Sequence, residues 1–322
     1  MCYNRILKSE GTPLKRVVSV SIGSSARNHQ AKLEFMGESI LLERIGTDGD
    51  MHKAIQILEE LDGKVDAFGL GGISFYLYAG GHRYIIRDAL RLVKNVRKTP
   101  VADGSGIKNT LEGRLVQVFA EQSGLTLQGK TALMVSAVER YAMAKSLVQA
   151  GCATIFGDLI FGLGIPIPIR SLRCIDRLGR LLLPVITRLP FKLLYPTGKD
   201  QERQAHTKAS DFLARAELLA GDFHYIRRYL PDKLDGKIII TNTVTDEDRK
   251  MLTQRKAAWL VTASPNFNGR SFATNVLEAL ILAVSGKRAE EMNLADYDTY
   301  LQELQIKPCI EKLSPAGNQA TP

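Results

Sequence analysis

The chain has 322 residues, 45% of them apolar, which is too long for one core of ordinary size and supplies enough apolar material for two packed domains. Its formal net charge is +9, but residues 170–208 alone carry nine cations against three acids, a concentration that argues against a broad nucleic-acid-binding face. The scattered cysteines argue against a disulfide framework or a zinc site, and no signal-peptide run or membrane-spanning stretch is present, so we expect a cytoplasmic protein.

The first hundred residues alternate strand-like and helix-like segments. Apolar and β-branched runs predict strands at 17–22, 39–45, 67–70 and 99–102. Apolar residues spaced by three and four predict helices at 51–61, 87–96 and 109–123. This alternation predicts an N-terminal α/β substrate-type domain (residues 1–108) with a parallel sheet, followed by a linking helix (109–124).

Each predicted strand of this domain ends in a turn rich in Gly, Ser or Asp. The turns are residues 23–25, 46–50, 69–72 and 103–106. In open parallel sheets the ligand crevice lies beyond the carboxyl ends of the strands, so these turns would offer backbone N–H groups to an anionic or polyol ligand. Gly and Asp also make tight turns without any ligand, and that alternative stays open.

A second unit opens at Gly129 with the size of a mononucleotide-binding half. It consists of a predicted strand at 131–135, a helix at 140–150 and a strand at 153–156. The turn before the helix is the candidate pyrophosphate site, formed by Ser136, Ala137, Val138, Glu139 and Arg140. Asp158 lies where an acid holds the ribose hydroxyls and repels a 2′-phosphate, which favours NAD over NADP.

The glycine fingerprint of a dinucleotide-binding turn is missing from this unit. Ser136, Val138 and Tyr141 occupy the three positions where glycine would let the backbone approach a pyrophosphate. A Rossmann-like domain that binds no dinucleotide is therefore the alternative.

Further strands at 236–243 and 259–262 and a helix at 269–285 complete a Rossmann-like parallel-sheet domain, to which we assign residues 125–290. Residues 291–322 form a C-terminal tail. Thr245 is expected to cap a helix that starts with three acids. Asn242 and Thr243 would border the crevice near a nicotinamide.

Residues 159–208 interrupt the alternation as a basic amphipathic insertion. Four arginines recur at intervals of three and four, and leucines share the segment: Arg170, Arg173, Arg177 and Arg180. Such a helix can lie on an anionic membrane surface. Packing on its own protein, or on a second copy of the chain in a homo-oligomer, is the commoner outcome and the one we favour.

From Asn109 onward the order of features is similar to that of the shikimate/quinate dehydrogenase family, including the bacterial proteins labelled quinate 5-dehydrogenase. The segment Asn109–Gly113 resembles the family's N-T-D-x-x-G element at the start of the linking helix. The segment Gly23–His29 resembles the serine-bearing substrate loop of that family. The resemblance implies NAD or NADP as cofactor and a set of substrate-binding residues: Ser24, Ser25, His29, Asp48 and Asn109.

Hydride transfer to or from a carbinol needs a proton acceptor near the hydroxyl and a charge that tunes it. Lys108 with Asp103, or Lys108 with Glu112, would provide a catalytic cation and carboxylate on adjoining turns. A surface ion pair of little consequence is the alternative.

These patterns together predict an NAD(P)-dependent oxidoreductase whose partner is a small hydroxylated carboxylic acid of the quinate or shikimate type. The alternative function is a non-enzymatic ligand-binding or regulatory protein on a degenerate Rossmann scaffold.

Overall fold

The computed structural model describes residues 14–190, 208–263, 266–267, 270–271 and 273–313. Our predictions for residues 1–13, for 191–207 of the basic insertion and for 314–322 of the tail lie outside the described residues.

Residues 14–123, the described first part of the chain, form seven strands and four α-helices. They are β1 (Lys15–Ser21), β2 (His29–Phe35), β3 (Glu38–Gly46), α1 (Met51–Leu61), β4 (Ala67–Gly71), β5 (Tyr76–Ala79), β6 (His82–Ile85), α2 (Arg87–Val93), β7 (Val101–Ala102), α3 (Ser105–Asn109) and α4 (Leu111–Ser123).

The second part continues the alternation. Its described elements are β8 (Thr131–Met134), α5 (Tyr141–Gln149), β9 (Ala153–Phe156), α6 (Leu172–Ile186), α7 (Lys208–Arg215), β10 (Leu218–Gly221), α8 (Phe223–Tyr229), β11 (Ile238–Thr241), α9 (Asp246–Gln254), β12 (Trp259–Thr262), β13 (Asn266–Phe267), β14 (Arg270–Ser271), α10 (Thr274–Ser285), α11 (Leu294–Glu303) and β15 (Cys309–Lys312).

Two largely parallel sheets organise these elements. The first has the order β2-β3-β1-β4-β7, and the second has the order β9-β8-β10-β11-β12-β15. The edge strands β2 and β15 are antiparallel to their neighbours. Numbered along the chain, the parallel strands lie in the order 2-1-3-4 in the first sheet and 2-1-3-4-5 in the second. The predicted two-domain α/β fold is confirmed at this level, whereas the Rossmann assignment is wrong because that fold has the order 3-2-1-4-5-6.

Helices between the sheets join the two domains through one apolar core. Although α10 lies in the second half of the chain, it packs on β1 and β4 of the first sheet. The core runs from Val17 and Ala67 past Leu277 to Met134 and Ile240. The chain therefore returns to the first domain after β12, and the domain boundaries predicted near residues 108 and 125 stay a prediction.

Local sequence signals account for the elements whose bounds were predicted well, such as α1, β9 and β12. The carboxylate of Asp50 caps α1 by accepting a hydrogen bond from the Lys53 N–H at 3.0 Å. Thr245 and Asp248 form a reciprocal capping box at the start of α9, as expected. The helix predicted from residue 269 begins only at Thr274, because β13 and β14 pair as a hairpin before it.

The basic insertion packs on its own protein through α6. Ile175 and Leu183 are buried, and Gly179 lies so close to Ala79 of β5 that a larger side chain would collide with it. The opposite face leaves Leu181 and Val185 exposed. Internal packing is thus confirmed for α6, and a homo-oligomer stays a prediction. Within the described residues, no helix is long and apolar enough to span a membrane.

Candidate functional site

The carboxyl ends of both parallel sheets meet where the two domains touch, since Ser74 beyond β4 donates to Glu139 beyond β8. We call this region the cleft. In sheets with this strand order the crevice opens where the connections from adjacent strands diverge, which here is between β1 and β4 and between β8 and β10. Asp222 follows β10 directly at the second of these points, and Ser74 follows β4 at the first. Both positions therefore place a polar side chain in the cleft.

Arg140 is the centre of a buried ion network in the second domain. Its side chain is 2% exposed and donates to the Glu112 carboxylate on α4 and, at 2.7 Å, to Asp222 Oδ2. Asn242 Nδ2 donates to the same Asp222 oxygen at 3.0 Å. One guanidinium thus connects helix α4 to the carboxyl ends of β10 and β11.

Charge pairing keeps Arg140 and Asp222 ionised despite their burial. Burial alone would raise the pKa of Asp222, but Arg140 and His224 lower it to about 2. Burial opposes the charge on Arg140 as well, and Glu112 and Asp222 overcome that effect and raise its pKa. Arg140 and Asp222 are therefore a fixed pair of opposite charges at neutral pH.

A second buried network joins the two domains. Lys108 Nζ donates to Ser74 Oγ at 2.8 Å, and Ser74 Oγ donates to Glu139 Oε1 at 2.8 Å. Lys108 Nζ also lies 3.5 Å from Glu139 Oε1, with both side chains less than a tenth exposed. The lysine is therefore held between the first domain and the turn that follows β8.

The predicted pairing of Lys108 with Asp103 or Glu112 is not what the structure shows. Glu112 pairs with Arg140, and Asp103 accepts hydrogen bonds from the Phe75 N–H and from Ser105. Both carboxylates therefore bind donors other than Lys108. The pair of Lys108 with Asp103 or Glu112 that was expected for hydride transfer is not formed.

The Gly-rich turn before α3 is held by Glu278 of α10. The Glu278 carboxylate accepts from the N–H groups of Gly104 at 2.5 Å and Gly106 at 3.0 Å. Burial raises the pKa of Glu278 to about 7, and Asp103 adds to the rise. These two N–H groups are thus used within the protein.

Direct contacts cross the cleft at its rim. Arg27 Nη1 of the first domain lies 3.3 Å from His224 Nε2 of the second. Since a guanidinium can only donate, this histidine nitrogen accepts the hydrogen bond. The Tyr78 N–H also donates to the Val138 carbonyl at 2.6 Å. The cleft is therefore closed in this structure.

The residues predicted to bind substrate lie along the first-domain side and mainly shape its turns. Ser24 Oγ accepts from the Ala26 N–H, and the Ser25 N–H donates to Asp48 Oδ1 at 2.8 Å. His29 Nδ1 lies 3.1 Å from the Arg27 carbonyl, while Asn109 Nδ2 donates to the Ser105 carbonyl at 2.8 Å. Their role in binding stays a prediction.

The turn predicted to bind a dinucleotide is occupied by the protein's own side chains. Asp158 Oδ1 accepts from the Val138 N–H at 3.0 Å, so this carboxylate satisfies a backbone donor that a pyrophosphate would need. Burial raises the pKa of Asp158 to about 6, which is unlike that of a solvated ribose-binding acid. Ala137 is buried, Ser136 lies in the wall of an apolar cavity under α6, and Thr243 is partly exposed beyond β11.

No motif in the sequence pointed to Ser74, Asp222 or His224. The run Leu218–Gly221 followed by Asp222 has the same form as the strand that ends at Gly157 and Asp158, and this likeness was the available signal. It was hidden because only the short helix α7 separates β10 from the basic insertion, so the alternation of strand and helix is interrupted there.

A family model described as Domain of unknown function (DUF8754) matches residues 106–313, which is more than half of the chain. The chain belongs to this family. A second model, Domain of unknown function (DUF8753), matches residues 16–103. No curated protein matches the sequence.

Several solved structures resemble the chain at low identity. A solute-binding protein of an ABC transporter from Burkholderia multivorans is 13% identical, with 94% of this chain and 99% of that one covered and a TM-score of 0.38. The 5-methylthioribose transporter solute-binding protein from Thermotoga lettingae TMO is 12% identical, with 92% and 85% covered and a TM-score of 0.37. The periplasmic arabinose-binding component from Shewanella sp. ANA-3, bound to arabinofuranose, is 10% identical, with 90% and 96% covered and a TM-score of 0.33.

These comparisons correct four predictions. The shikimate/quinate dehydrogenase relationship is wrong, because the families whose models match the chain are DUF8753 and DUF8754. The NAD(P)-dependent oxidoreductase function and the NAD or NADP cofactor are wrong with it, in agreement with the occupied turn at Val138. The prediction of a cytoplasmic location is withdrawn; the arabinose-binding match is itself described as periplasmic. The prediction of a small-molecule partner is consistent with these matches, one of which is a complex with 5-methylthioribose.

Proposed function

We propose that this protein binds a small, neutral, polyhydroxylated molecule in the inter-domain cleft and releases it unchanged. The observation that carries this proposal is the pair of buried polar networks, Ser74–Lys108–Glu139 and Glu112–Arg140–Asp222, at the carboxyl edges of the two sheets.

The composition of these networks suits hydroxyl groups. Lys108 and Arg140 supply donors only, whereas the carboxylates of Glu139 and Asp222 supply acceptors only. A hydroxyl group donates and accepts at once, so adjacent hydroxyls match alternating cations and carboxylates. Carboxylates at strand ends hold vicinal hydroxyls in this manner in nucleotide-binding folds.

The near balance of charge favours a neutral ligand over an anion. Lys108 and Arg140 are offset by Glu112, Glu139 and Asp222, a surplus of one negative charge. An anionic ligand would have to displace carboxylates that already hold these cations, at the cost of leaving buried charges unpaired.

The ionisation of these residues supports binding rather than proton transfer. A general acid or base works best with a pKa near the operating pH. Arg140 and His224 hold the pKa of Asp222 at about 2 against the effect of burial, so this carboxylate stays an acceptor. The fixed charges orient a ligand without exchanging protons with it.

Entry of a ligand requires the two domains to separate. The Arg27–His224 contact and the Tyr78–Val138 hydrogen bond both span the rim. Opening the cleft by a hinge motion would break these contacts together with the buried Ser74–Glu139 and Lys108–Glu139 contacts, and would leave both sheets intact.

The test is isothermal titration calorimetry with a panel of pentoses and hexoses. We expect at least one sugar to bind with a Kd of about 1–100 μM, and Asp222→Asn to weaken its binding at least about tenfold, because the neutral amide no longer accepts strongly at both positions.

Asp232→Asn is the matched control, since the Asp232 side chain is 82% exposed and the same charge is removed. It should leave the affinity unchanged. Binding that is equally tight in wild type and Asp222→Asn would contradict the proposed site, and a panel without any binder at about millimolar concentration would contradict the ligand class.

A further inference from the structure

The outward face of α6 combines positive charge with apolar side chains. Arg173, Arg177 and Arg180 are exposed and recur every three or four residues, which places them on one face of the helix. Leu181 and Val185 extend this face and are 71% and 62% exposed. Single exposed aliphatic side chains are common, whereas here two of them lie beside a row of cations. We call these five residues the basic face of α6.

The acid of α6 is bound to the rest of the protein. Asp176 is the one acid in the sequence between residues 163 and 190. Its Oδ1 accepts from the Gly80 N–H at 2.6 Å and from the Tyr141 hydroxyl at 2.7 Å. Among the described residues, no carboxylate forms an ion pair with an arginine of the basic face. The positive charge of this face is therefore directed to solvent.

The inner side of α6 fixes the basic face in place. Ile175 and Leu183 are buried, Gly179 packs against Ala79 of β5, and Asp176 ties the helix to the turn after β5. The helix is thus formed before any partner arrives, and binding does not bear the entropy of ordering it.

An anionic lipid surface matches both parts of the basic face. Guanidinium groups pair with headgroup phosphates, and aliphatic side chains enter the boundary between headgroups and acyl chains. A nucleic acid also supplies phosphates, but residues 163–190 contain no aromatic side chain that could stack on bases. A symmetric contact with a second copy of the chain would bring two sets of arginines together, and like charges repel.

We propose that the basic face of α6 docks this protein onto an anionic membrane surface, with the arginines against the phosphates and Leu181 and Val185 in the interface. The contact is peripheral, because the helix lies along the bilayer with its other side on the protein. The basic face contains no residue of the cleft, so its test and the sugar titration can fail independently.

Vesicle flotation tests this docking. Phosphatidylcholine vesicles with about 30% phosphatidylglycerol should bind wild type at least about tenfold more tightly than phosphatidylcholine alone, because each basic residue near an anionic membrane contributes roughly fivefold. Raising the salt concentration from about 0.1 M to about 0.5 M should weaken this binding by screening. Equal binding to both kinds of vesicle, or no binding to either, would overturn the proposal.

Two double variants test the position of the charge. Arg173→Gln with Arg177→Gln should weaken binding roughly thirtyfold, whereas Arg97→Gln with Arg215→Gln should change it less than about threefold. The control removes the same charge from exposed positions after α2 and at the end of α7. Equal losses in both variants would show an effect of net charge alone and would contradict a docking face on α6.

Leu181→Gln tests the apolar part of the face. It should weaken vesicle binding at least about fivefold, because the leucine side chain no longer leaves water, and circular dichroism should show an unchanged fold. Undiminished binding of this variant would indicate a simple polyanion contact and overturn the proposal. Capture by duplex DNA but not by vesicles, or a dimer in sedimentation that Leu181→Gln dissociates, would assign the face to another partner and overturn it as well.

Discussion

Arg140 determines the structural role of the turn between β8 and α5. In a dinucleotide-binding turn the helix N-terminus is left open for phosphate. Here Arg140 precedes α5, and its guanidinium bridges Glu112 and Asp222 under the helix. Removing either carboxylate would leave a buried charge without its full complement of partners. The turn is thereby specialised for holding the cleft's polar residues in place.

Asp158 carries a stability prediction of its own. Its pKa rises from 3.8 to about 6 on folding, so the folded state binds the proton more tightly and the ionised group costs roughly 3 kcal/mol above pH 6. An unpaired amide costs about 1–2 kcal/mol. Asp158→Asn should therefore raise the free energy of unfolding by about 1 kcal/mol near pH 7.5.

The sign of this effect depends on pH. As the pH falls from about 6 toward 3.8, wild-type Asp158 takes up its proton and the cost of its charge is progressively lost, while the Asn variant does not change. Urea unfolding near pH 7.5 and near pH 5 should show the variant's advantage decreasing by about 1 kcal/mol or more. An advantage of the same size at both pH values would show that Asp158 is not the group that titrates.

Several of the cleft residues were predicted from the sequence, but the residues that they pair with were not. Lys108, Glu139 and Arg140 were all singled out, because they sit next to predicted strand ends and a helix start. The pairing of Arg140 with Asp222 joins positions 82 residues apart, and no local pattern encodes it. The pairing predicted for Lys108 was wrong, because the tertiary fold gives the carboxylates other partners.

At the scale of elements, the contact between α3 and α10 depends on a residue without a side chain. A Cβ on Gly106 would lie 2.7 Å from Glu278 Oε1 and would also collide with the Tyr297 ring. Gly106→Ala should therefore displace the carboxylate that holds the turn before α3 and destabilise the protein by about 1–3 kcal/mol. Thermal unfolding measures this change.

Gly162→Ala is the matched control for this glycine. Among the described atoms, none lies within 4 Å of the added methyl group, and the backbone at this position does not need a positive φ. The midpoint of thermal unfolding of Gly162→Ala should stay close to that of wild type. Equal stability of the two variants would contradict the close packing of α3 against α10.

Elements marked by apolar spacing, capping residues or short apolar runs were predicted well. Elements that form by pairing with a neighbouring strand were not. The helix α1 has apolar spacing and a capping aspartate, and β9 and β12 are short apolar runs with clear ends. The strand β2 and the β5–β6 hairpin lack such signals, since they are held by antiparallel neighbours. Their positions follow from tertiary pairing.

At the scale of the whole molecule, the shared strand order explains why a cleft exists. Each sheet directs its carboxyl edge toward the same space, and α10 returns to the first sheet, so the domains are joined by several segments. Local patterns predicted two α/β domains correctly. Strand order was not accessible from them, because β8 pairs with both β9 and β10 across the insertion.

In the proposed function a polyhydroxylated ligand binds between the two carboxyl edges. Amide hydrogen exchange with and without a sugar selected by calorimetry tests it most directly. We expect slower exchange at residues 72–75, 135–140 and 222–225, which line both sides of the cleft, and no change at 129–131 on the opposite edge. Protection that is absent from these three segments, or confined to α6, would contradict the account.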